Sequence, residues 1–359
     1  ESGLWISDMF PRIAENADEL TLLRSLVTDS ANHTPALFML NSGFGANGFP
    51  STGSWLSYAL GNESESLPTF VVLPDARGGP NGGASNCSSG FLPAEHQATL
   101  LQIDGGEAIR NIRPREATNT QRNRLSFINR FDKRFLEQTG GDTQVEAAIR
   151  NYETAFHMQS SVPELCDIKG ESESTKKLYG IDSGDKQKAG YGRQCLLARR
   201  LVQRGVRFIE VSHNLNFLNG TGWDTHNQGQ LNQHLLIKEL DNALATLITD
   251  LEKHSLLDKT LVAVGTEFGR PAGFDGGGGR GHHSKCFSLL LAGGGLNHQG
   301  AYGVSDELAQ KPIENPVSLP DFHATVHATL GIDPSKELHA GDRPVPITDR
   351  GKPIAKLFG

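Results

Sequence analysis

The sequence predicts an α/β protein with a mostly parallel sheet, and three observations carry that expectation. Short apolar runs of strand length recur, "TFVVL" (69–73), "VRFIEVS" (206–212), "TLVAVG" (260–265) and "CFSLLLAGG" (286–294), each bounded by turn residues. Between them lie segments with helical spacing, above all Ile237, Leu240, Leu244, Leu247 and Leu251 on one face. In the second half strands and helices alternate, as successive βα units do. The chain of 359 residues can bury a full core, and no linker divides it, so one domain over residues 1–359 is expected.

Taken in order, Ile13 to Leu26 reads as a helix, and Ser51 to Leu60 as a second, opened by the Pro50-Ser51 step. Thr69 to Leu73 is a buried strand, and Asp75 to Ser89 a long glycine-rich loop. Arg122 to Gln138 forms a helix, followed by one with Val145, Ile149, Tyr152 and Phe156 on one face. The polar stretch Asp167 to Gly192 reads as a surface excursion. A helix at Gln194 to Arg204 turns through Gly205 into the strand Val206 to Ser212, and the loop "GTGWDTHNQG" (220–229) leads to the Ile237–Leu251 helix. The strand at 260–265, the loop "TEFGRPAGFDGGGGRGHHSK" (266–285), the strand at 286–294 and the helix "LPDFHATVHATLG" (319–331) follow.

The charge balance, 34 basic against 41 acidic residues for a net of -7, gives no footprint for nucleic acid and no basic patch for an anionic membrane, although net charge does not describe a local cleft. No apolar run reaches the ~18 residues of a membrane span. Cys87, Cys166, Cys195 and Cys286 are scattered without a C-x-x-C pair and read as buried thiols, with one or two disulfides as the alternative.

Ligands of parallel sheets bind where loops leave the carboxyl ends of strands. After the strand at 206–212 come His213, Asp224 and His226; after that at 260–265 come Glu267, His282 and His283. Asp224, His226, Glu267, His282 and His283 are ligand types that zinc, manganese or iron accept. Gly276 to Gly279 lead into histidines and a strand, not into G-K-[ST] and a helix, which excludes a nucleotide P-loop. Ser51, at a helix start, is either a capping residue or a nucleophile of lowered pKa. Arg270 either holds Glu267 or faces a substrate oxyanion. His33, Asp321 and His323 are further polar groups near element ends; Asp321 reads as a helix N-cap and His327 as a core or surface residue.

Several long motifs, among them "ESGLWISDMFPRIAENADELTLLRSLVTDSANHTPALFMLNSG", "FPSTGSWLSYALG", "LARRLVQRGVRFIEV", "GWDTH", "TEFGR", "GRGHH", "LLLAGGGLNHQGAYG" and "DFHATVHATLGID", resemble the domain-of-unknown-function 1501 family over nearly the whole chain. That group is bacterial, often planctomycete, and related to sulfatases and alkaline phosphatases. The resemblance implies a three-layer sandwich of alkaline phosphatase type and a metal-dependent hydrolase of phosphate or sulfate esters, acting on a small molecule or a polysaccharide. It further implies export to the periplasm or cell surface, with the family's usual leader and first strand lying before Glu1.

By the same resemblance Ser51 is the nucleophile and Arg270 neutralises substrate charge. Asp224, His226, Glu267, His282 and His283 then hold one or two divalent ions of the zinc, manganese or iron class. Phe268 stands where the superfamily has a ligand histidine, Gly281 where the family has an acid, and no C-x-P-S-R motif is present. These departures imply the alternative, an exported binding protein that keeps the fold without catalysis or metal.

Overall fold

In the computed structural model, which describes residues 2–103, 107–216, 222–226, 232–298, 300–340 and 342–359, helices and strands do alternate. The helices are α1 (Pro11–Ala14), α2 (His33–Ser42), α3 (Thr52–Leu60), α4 (Thr118–Thr139), α5 (Thr143–Cys166), α6 (Glu173–Leu178), α7 (Lys186–Gln203), α8 (Gln233–Lys253) and α9 (Leu319–Thr329). The principal strands are β1 (Leu20–Val27), β2 (Phe70–Leu73), β3 (Thr99–Leu100), β4 (Phe208–Val211), β5 (Leu261–Val264), β6 (Phe287–Gly293), β7 (Gly300–Tyr302), β8 (Val304–Ser305), β9 (Pro312–Glu314) and β10 (Val317–Ser318).

The strands do not form one mostly parallel sheet. The larger sheet has the order β10-β1-β6-β5, with β7 also on β1, and β6 runs antiparallel to both its neighbours. The smaller sheet, β3-β2-β4, is wholly parallel. Because β1 and β5 are both antiparallel to β6, their carboxyl ends and the start of β6 meet at one edge.

Of the segment expected as a helix from Ile13 to Leu26, only Ile13 and Ala14 lie in an α-helix, the end of α1, and the second half, from Leu20, is strand β1. Leu20, Leu23 and Leu26 are all fully buried, and their spacing of three imitates a helical stripe. A register shift between Leu23 and Leu26 explains the spacing: the bulge changes the pleat's phase, so both pack in the same apolar cluster with Phe287 and Leu289. On that face of the larger sheet lie Met39 of α2 and Phe322 and Val326 of α9; the other face, through Leu20 and Ala292, packs against Leu196 of α7 and Ile248 of α8. In the smaller sheet Val71 and Leu73 pack against Val162 and Leu165 of α5 and Leu197 and Leu201 of α7.

On the other side of that sheet α3 comes very close. A Cβ on Gly53 would stand 2.6 Å from Phe208 and 2.7 Å from Phe70, so only glycine lets this helix settle on β2 and β4.

The polar stretch from Asp167 to Gly192 also departs from expectation, because it returns into the core. Tyr179 is fully buried and its hydroxyl donates to Asp250 Oδ2 at 2.9 Å. Glu171 accepts from Arg199 Nη2 and Arg200 Nη1, both at 2.7 Å, while Arg199 Nε donates to Asp250 at 3.0 Å. Burial pushes the Glu171 carboxyl up, but the two guanidiniums outweigh it and hold it below the ordinary glutamate range. Arg199→Met removes the guanidinium that bridges Glu171 and Asp250 beside a buried tyrosine; unfolding in denaturant is expected to show a loss of about 3 kcal/mol. A loss under about 1 kcal/mol would show that the network carries no such weight.

Asp321 is not the N-cap of α9. Ser318 occupies that position, its hydroxyl accepting from Asp321 N, and Asp321 closes a capping box by accepting from Ser318 N. No helix among the described residues is long and apolar enough to cross a membrane, and all four cysteines are free thiols.

Candidate metal centre

At the shared edge of β1 and β5, local rules place the functional side chains. Asn32 caps α2 by accepting from Thr34 N, which fixes His33 as the first helical residue just beyond β1. Glu267 follows β5 by three residues. The loop before β6 is tied at its base by a reciprocal backbone pair between Gly269 and His283, 2.9 Å in each direction. Inside it Asp275 Oδ1 accepts from Gly277 N and Gly279 N, and Gly278 takes a positive φ of 84°. Arg280 N donates to Thr225 O at 2.7 Å, which pins the Asp224–His226 segment to the same loop. The glycine-rich stretch is a closed and internally bonded turn. The flanks of the 220–229 loop, residues 220–221 and 227–229, lie outside the described residues.

Three side chains converge. His33, Asp224 and His282 each offer a ligand atom, all within 4.8 Å of one another, and among the described residues they are the group fit to hold a metal ion. His33 Nδ1 lies 2.7 Å from Glu267 Oε1, and its Nε2 faces Asp224 Oδ2 at 3.5 Å. His282 Nδ1 lies 2.7 Å from the carbonyl of Ala31, and its Nε2 faces Asp224 Oδ1 at 3.3 Å and His226 Nε2 at 3.0 Å. His226 adds a contact to Asp224 Oδ1 at 3.2 Å. Arg270 pairs with the same Asp224 oxygen and donates to Arg280 O at 2.8 Å. Phe268, buried, packs against the rings of both His33 and His282, with centroids 5.0 and 4.4 Å away.

The tautomers follow from these partners. A carbonyl only accepts, so neutral His282 carries its proton on Nδ1 and turns a lone pair on Nε2 toward Asp224. Neutral His33, donating Nδ1–H to the Glu267 carboxylate, does the same. Two imidazole lone pairs and a carboxylate therefore point at one small volume, an arrangement that repels itself and attracts a cation. The carboxylate behind His33 and the carbonyl behind His282 are the outer partners that metal-binding histidines use to fix ring orientation.

Charge at the site follows the same contacts. Burial pushes the Asp224 carboxyl up, yet Arg270, with His33 and His226, holds it below the usual aspartate range. Glu267 behaves likewise: burial raises it, but the hydrogen bonds from His33 and Thr266 bring it below the usual value. Burial pushes the His282 imidazole down, aided by His33 and Arg270, and this favours its neutral, ligating form.

Of the residues expected from sequence, Asp224, His226, Glu267, His282 and Arg270 are brought together. Glu267 reaches the cluster through His33 rather than directly. His283 turns away, its Nε2 3.0 Å from Ala309 O, because adjacent residues flanking a backbone pair point to opposite sides. Ser51 is also not at the cluster. It is buried at the N-cap of α3, its hydroxyl 2.9 Å from Ser54 Oγ, and the neighbouring Thr52 donates to Asn41 O at the far end of α2 from His33. Eight residues of helix put those ends about 12 Å apart. The candidate ligand that sequence reasoning passed over is His33; its signal was the Asn-His step at a helix start directly after a strand.

Glu267→Gln keeps the shape but weakens the acceptor that orients His33. A loss of metal affinity of roughly 10–100-fold is expected by titration calorimetry, and unchanged affinity would remove Glu267 from the site.

Fold and site together define an α/β protein with a candidate metal centre at strand ends. The chain belongs to the family described as "Protein of unknown function (DUF1501)", whose profile matches residues 1–358. No curated protein matches it. Among solved structures it is similar to one titled "Crystal structure of Ps i-CgsB in complex with k-i-k-neocarrahexaose", at 12% identity and a TM-score of 0.40, over 90% of this chain and 67% of that one.

Proposed function

We propose that the protein is a metal-dependent hydrolase of phosphate or sulfate esters, of the alkaline phosphatase and sulfatase type, acting on a small or polysaccharide ester outside the cytoplasm. One observation carries the reading: the lone pairs of His33 and His282 and the Asp224 carboxylate converge, with their outer partners in place. The donor set, two imidazoles and one carboxylate, suits zinc, manganese or iron and matches catalytic sites that keep a position open for water or substrate. When bound, the ion supplies Lewis acidity and an acidified water.

The chain's own groups divide the remaining work. His33, Asp224 and His282 hold the ion. Arg270, beside Asp224, offers guanidinium donors to an ester oxyanion. His226 has the most exposed side chain of the three imidazoles, 38% against 13% and 20%; its Nε2–H faces His282 and Asp224, which leaves Nδ1, 3.4 Å from Asp275 Oδ2, as the nitrogen to take the proton of an attacking water. Ser51, with its hydroxyl occupied by Ser54, is given no part in attack.

The test is metal content of the purified protein followed by turnover of nitrophenyl phosphate and nitrophenyl sulfate. One tightly bound ion per chain with ester turnover is the expected result. A stoichiometric ion without turnover of either ester would overturn the hydrolase reading but keep the metal centre; no ion after metal soaking would overturn both and favour the binding-protein reading, toward which Phe268 at a ligand position points.

A further inference from the structure

His213 stands just beyond the end of β4, on the edge from which the Asp224 loop departs, yet it is not among the side chains that converge on the metal centre. Its ring is buried and held on several sides. Nε2 lies 3.0 Å from Glu239 Oε2, Nδ1 lies 3.1 Å from Trp223 Nε1, and the Tyr191 ring packs against it with centroids 4.2 Å apart. An indole N–H only donates, so Nδ1 accepts, and neutral His213 carries its proton on Nε2, where it donates to the Glu239 carboxylate. Trp223 Nε1 is shared between that ring nitrogen and the His213 carbonyl, also at 3.1 Å.

Behind Glu239 the contacts run on into the framework. Arg77 Nη1 donates to the same Glu239 oxygen at 2.8 Å, and its Nε and Nη2 grip the two oxygens of Asp75 at 2.9 and 2.7 Å. Asp75 in turn accepts from Asn214 N at 2.9 Å. Asp75 and His213 follow β2 and β4, and Glu239 lies on α8, so the network is fixed to the parallel sheet and to a long helix. Its four charged or ring side chains are between 6% and 15% exposed, and charge-assisted bonds so far from water hold one geometry.

Trp223 joins this network to the metal centre, because its neighbour in the chain is Asp224. The same short segment is held from the larger sheet's side, where Arg280 N donates to Thr225 O and Arg270 pairs with the Asp224 carboxylate. Asp224 is therefore carried between two anchors, one reaching it from each sheet. A single anchor lets a segment swing about it, whereas two fix the direction in which its side chain leaves the backbone.

We propose that Trp223 and His213 are positioning residues for Asp224. The indole N–H, seated on a histidine that Glu239 holds in one tautomer, sets where the carboxylate stands between the lone pairs of His33 and His282. Residues outside the ligand set that orient it are commonly worth 10–100-fold in metal affinity. The inference rests on the metal-centre reading and is independent of ester hydrolysis.

The test is titration of the full chain with cobalt(II), read by calorimetry and by the visible absorption bands of the bound ion, beside urea unfolding of the metal-free chain. Trp223→Phe keeps an aromatic ring and removes the N–H; cobalt affinity is expected to fall about 10-fold, with a change in the visible bands. His213→Leu leaves Trp223 its bond to the backbone carbonyl, so a smaller loss in the same direction is expected. His213→Gln, whose amide can accept from the indole and donate to Glu239, is expected to restore most of that loss. Unchanged affinity and bands in Trp223→Phe overturn the proposal, as does a drop in urea stability that leaves cobalt binding untouched. A His213→Gln variant as weak as His213→Leu also overturns it. A parent chain that takes up no cobalt overturns the metal centre itself and this inference with it, which separates failure of the centre from failure of the anchor.

Discussion

Asp224→Asn is expected to abolish both metal retention and ester turnover, by on the order of 10³-fold in the turnover measured with added metal. Asp224 is where every line of the site meets: Arg270, His226, His282 and His33 all face its two oxygens. The amide keeps the volume but removes the charge that offsets a cation between two imidazole lone pairs, and it presents an N–H where a donor is unwelcome. His282→Ala removes one ligand atom and should give the same direction. The measurement is metal per chain by elemental analysis beside nitrophenyl ester kinetics. If the Asp224→Asn variant retained a full ion and near-normal turnover, the centre would lie elsewhere.

The second large effect concerns acid. His323 and His327, one turn apart on α9, are 2% and 1% exposed. Burial pushes His323 down to about 4 and His327 down to about 3, the second also by repulsion from the first. His323 is bonded to Thr52 Oγ1 at 2.8 Å and Met39 O at 2.9 Å; neither ring nitrogen of His327 has a hydrogen-bond partner among the described residues.

An unfolded histidine titrates near pH ~6.5. Between that value and about 4 the unfolded chain therefore binds protons that the folded chain refuses, so stability falls as pH falls. From about pH 7 to 4.5 the two imidazoles together cost on the order of 5 kcal/mol, at about 1.4 kcal/mol per unit each. The window ends above the range in which the paired Asp75 and Glu171, both held low, begin to protonate. Glu210, pushed up by burial to about 7, acts in the opposite direction over the same window, so the histidine loss is read by comparing urea unfolding of the parent chain and a His327→Leu variant at about pH 7 and about pH 4.5. His327→Leu should remove about half of it and cost little at about pH 7, because it deletes a buried polar group that has no partner. An unchanged pH slope in that variant would place the acid lability in other groups.

Much of the architecture was legible because it rests on local rules. The strand runs at 69–73, 206–212, 260–265 and 286–294 and the long amphipathic α8 announced themselves by length and spacing. So did the carboxyl-end rule that gathered Asp224, His226, Glu267 and His282. What failed was equally specific. Leu20, Leu23 and Leu26 imitated a helix because a bulge resets the strand's phase, and a bulge is a pairing event between β1 and β6 that one strand's sequence does not announce. The polar run 167–192 was read as surface because its anchors, Tyr179 and Glu171, find their partners Asp250, Arg199 and Arg200 from 28 to 71 residues away. His283 looked equivalent to His282 until a backbone pair with Gly269 turned one inward and the other out.

The sequence by itself determined the inventory: which segments prefer helix or strand, and that imidazoles and carboxylates cluster in loops after strands. Periodicity and turn chemistry are properties of a few neighbouring residues, so they survive without a fold. Tertiary structure alone decided the direction of each sheet, the choice of His33 over Ser51 and His283, and the buried state of His323 and His327. Each of those depends on what lies across from a residue, and the chain writes opposite neighbours hundreds of positions apart.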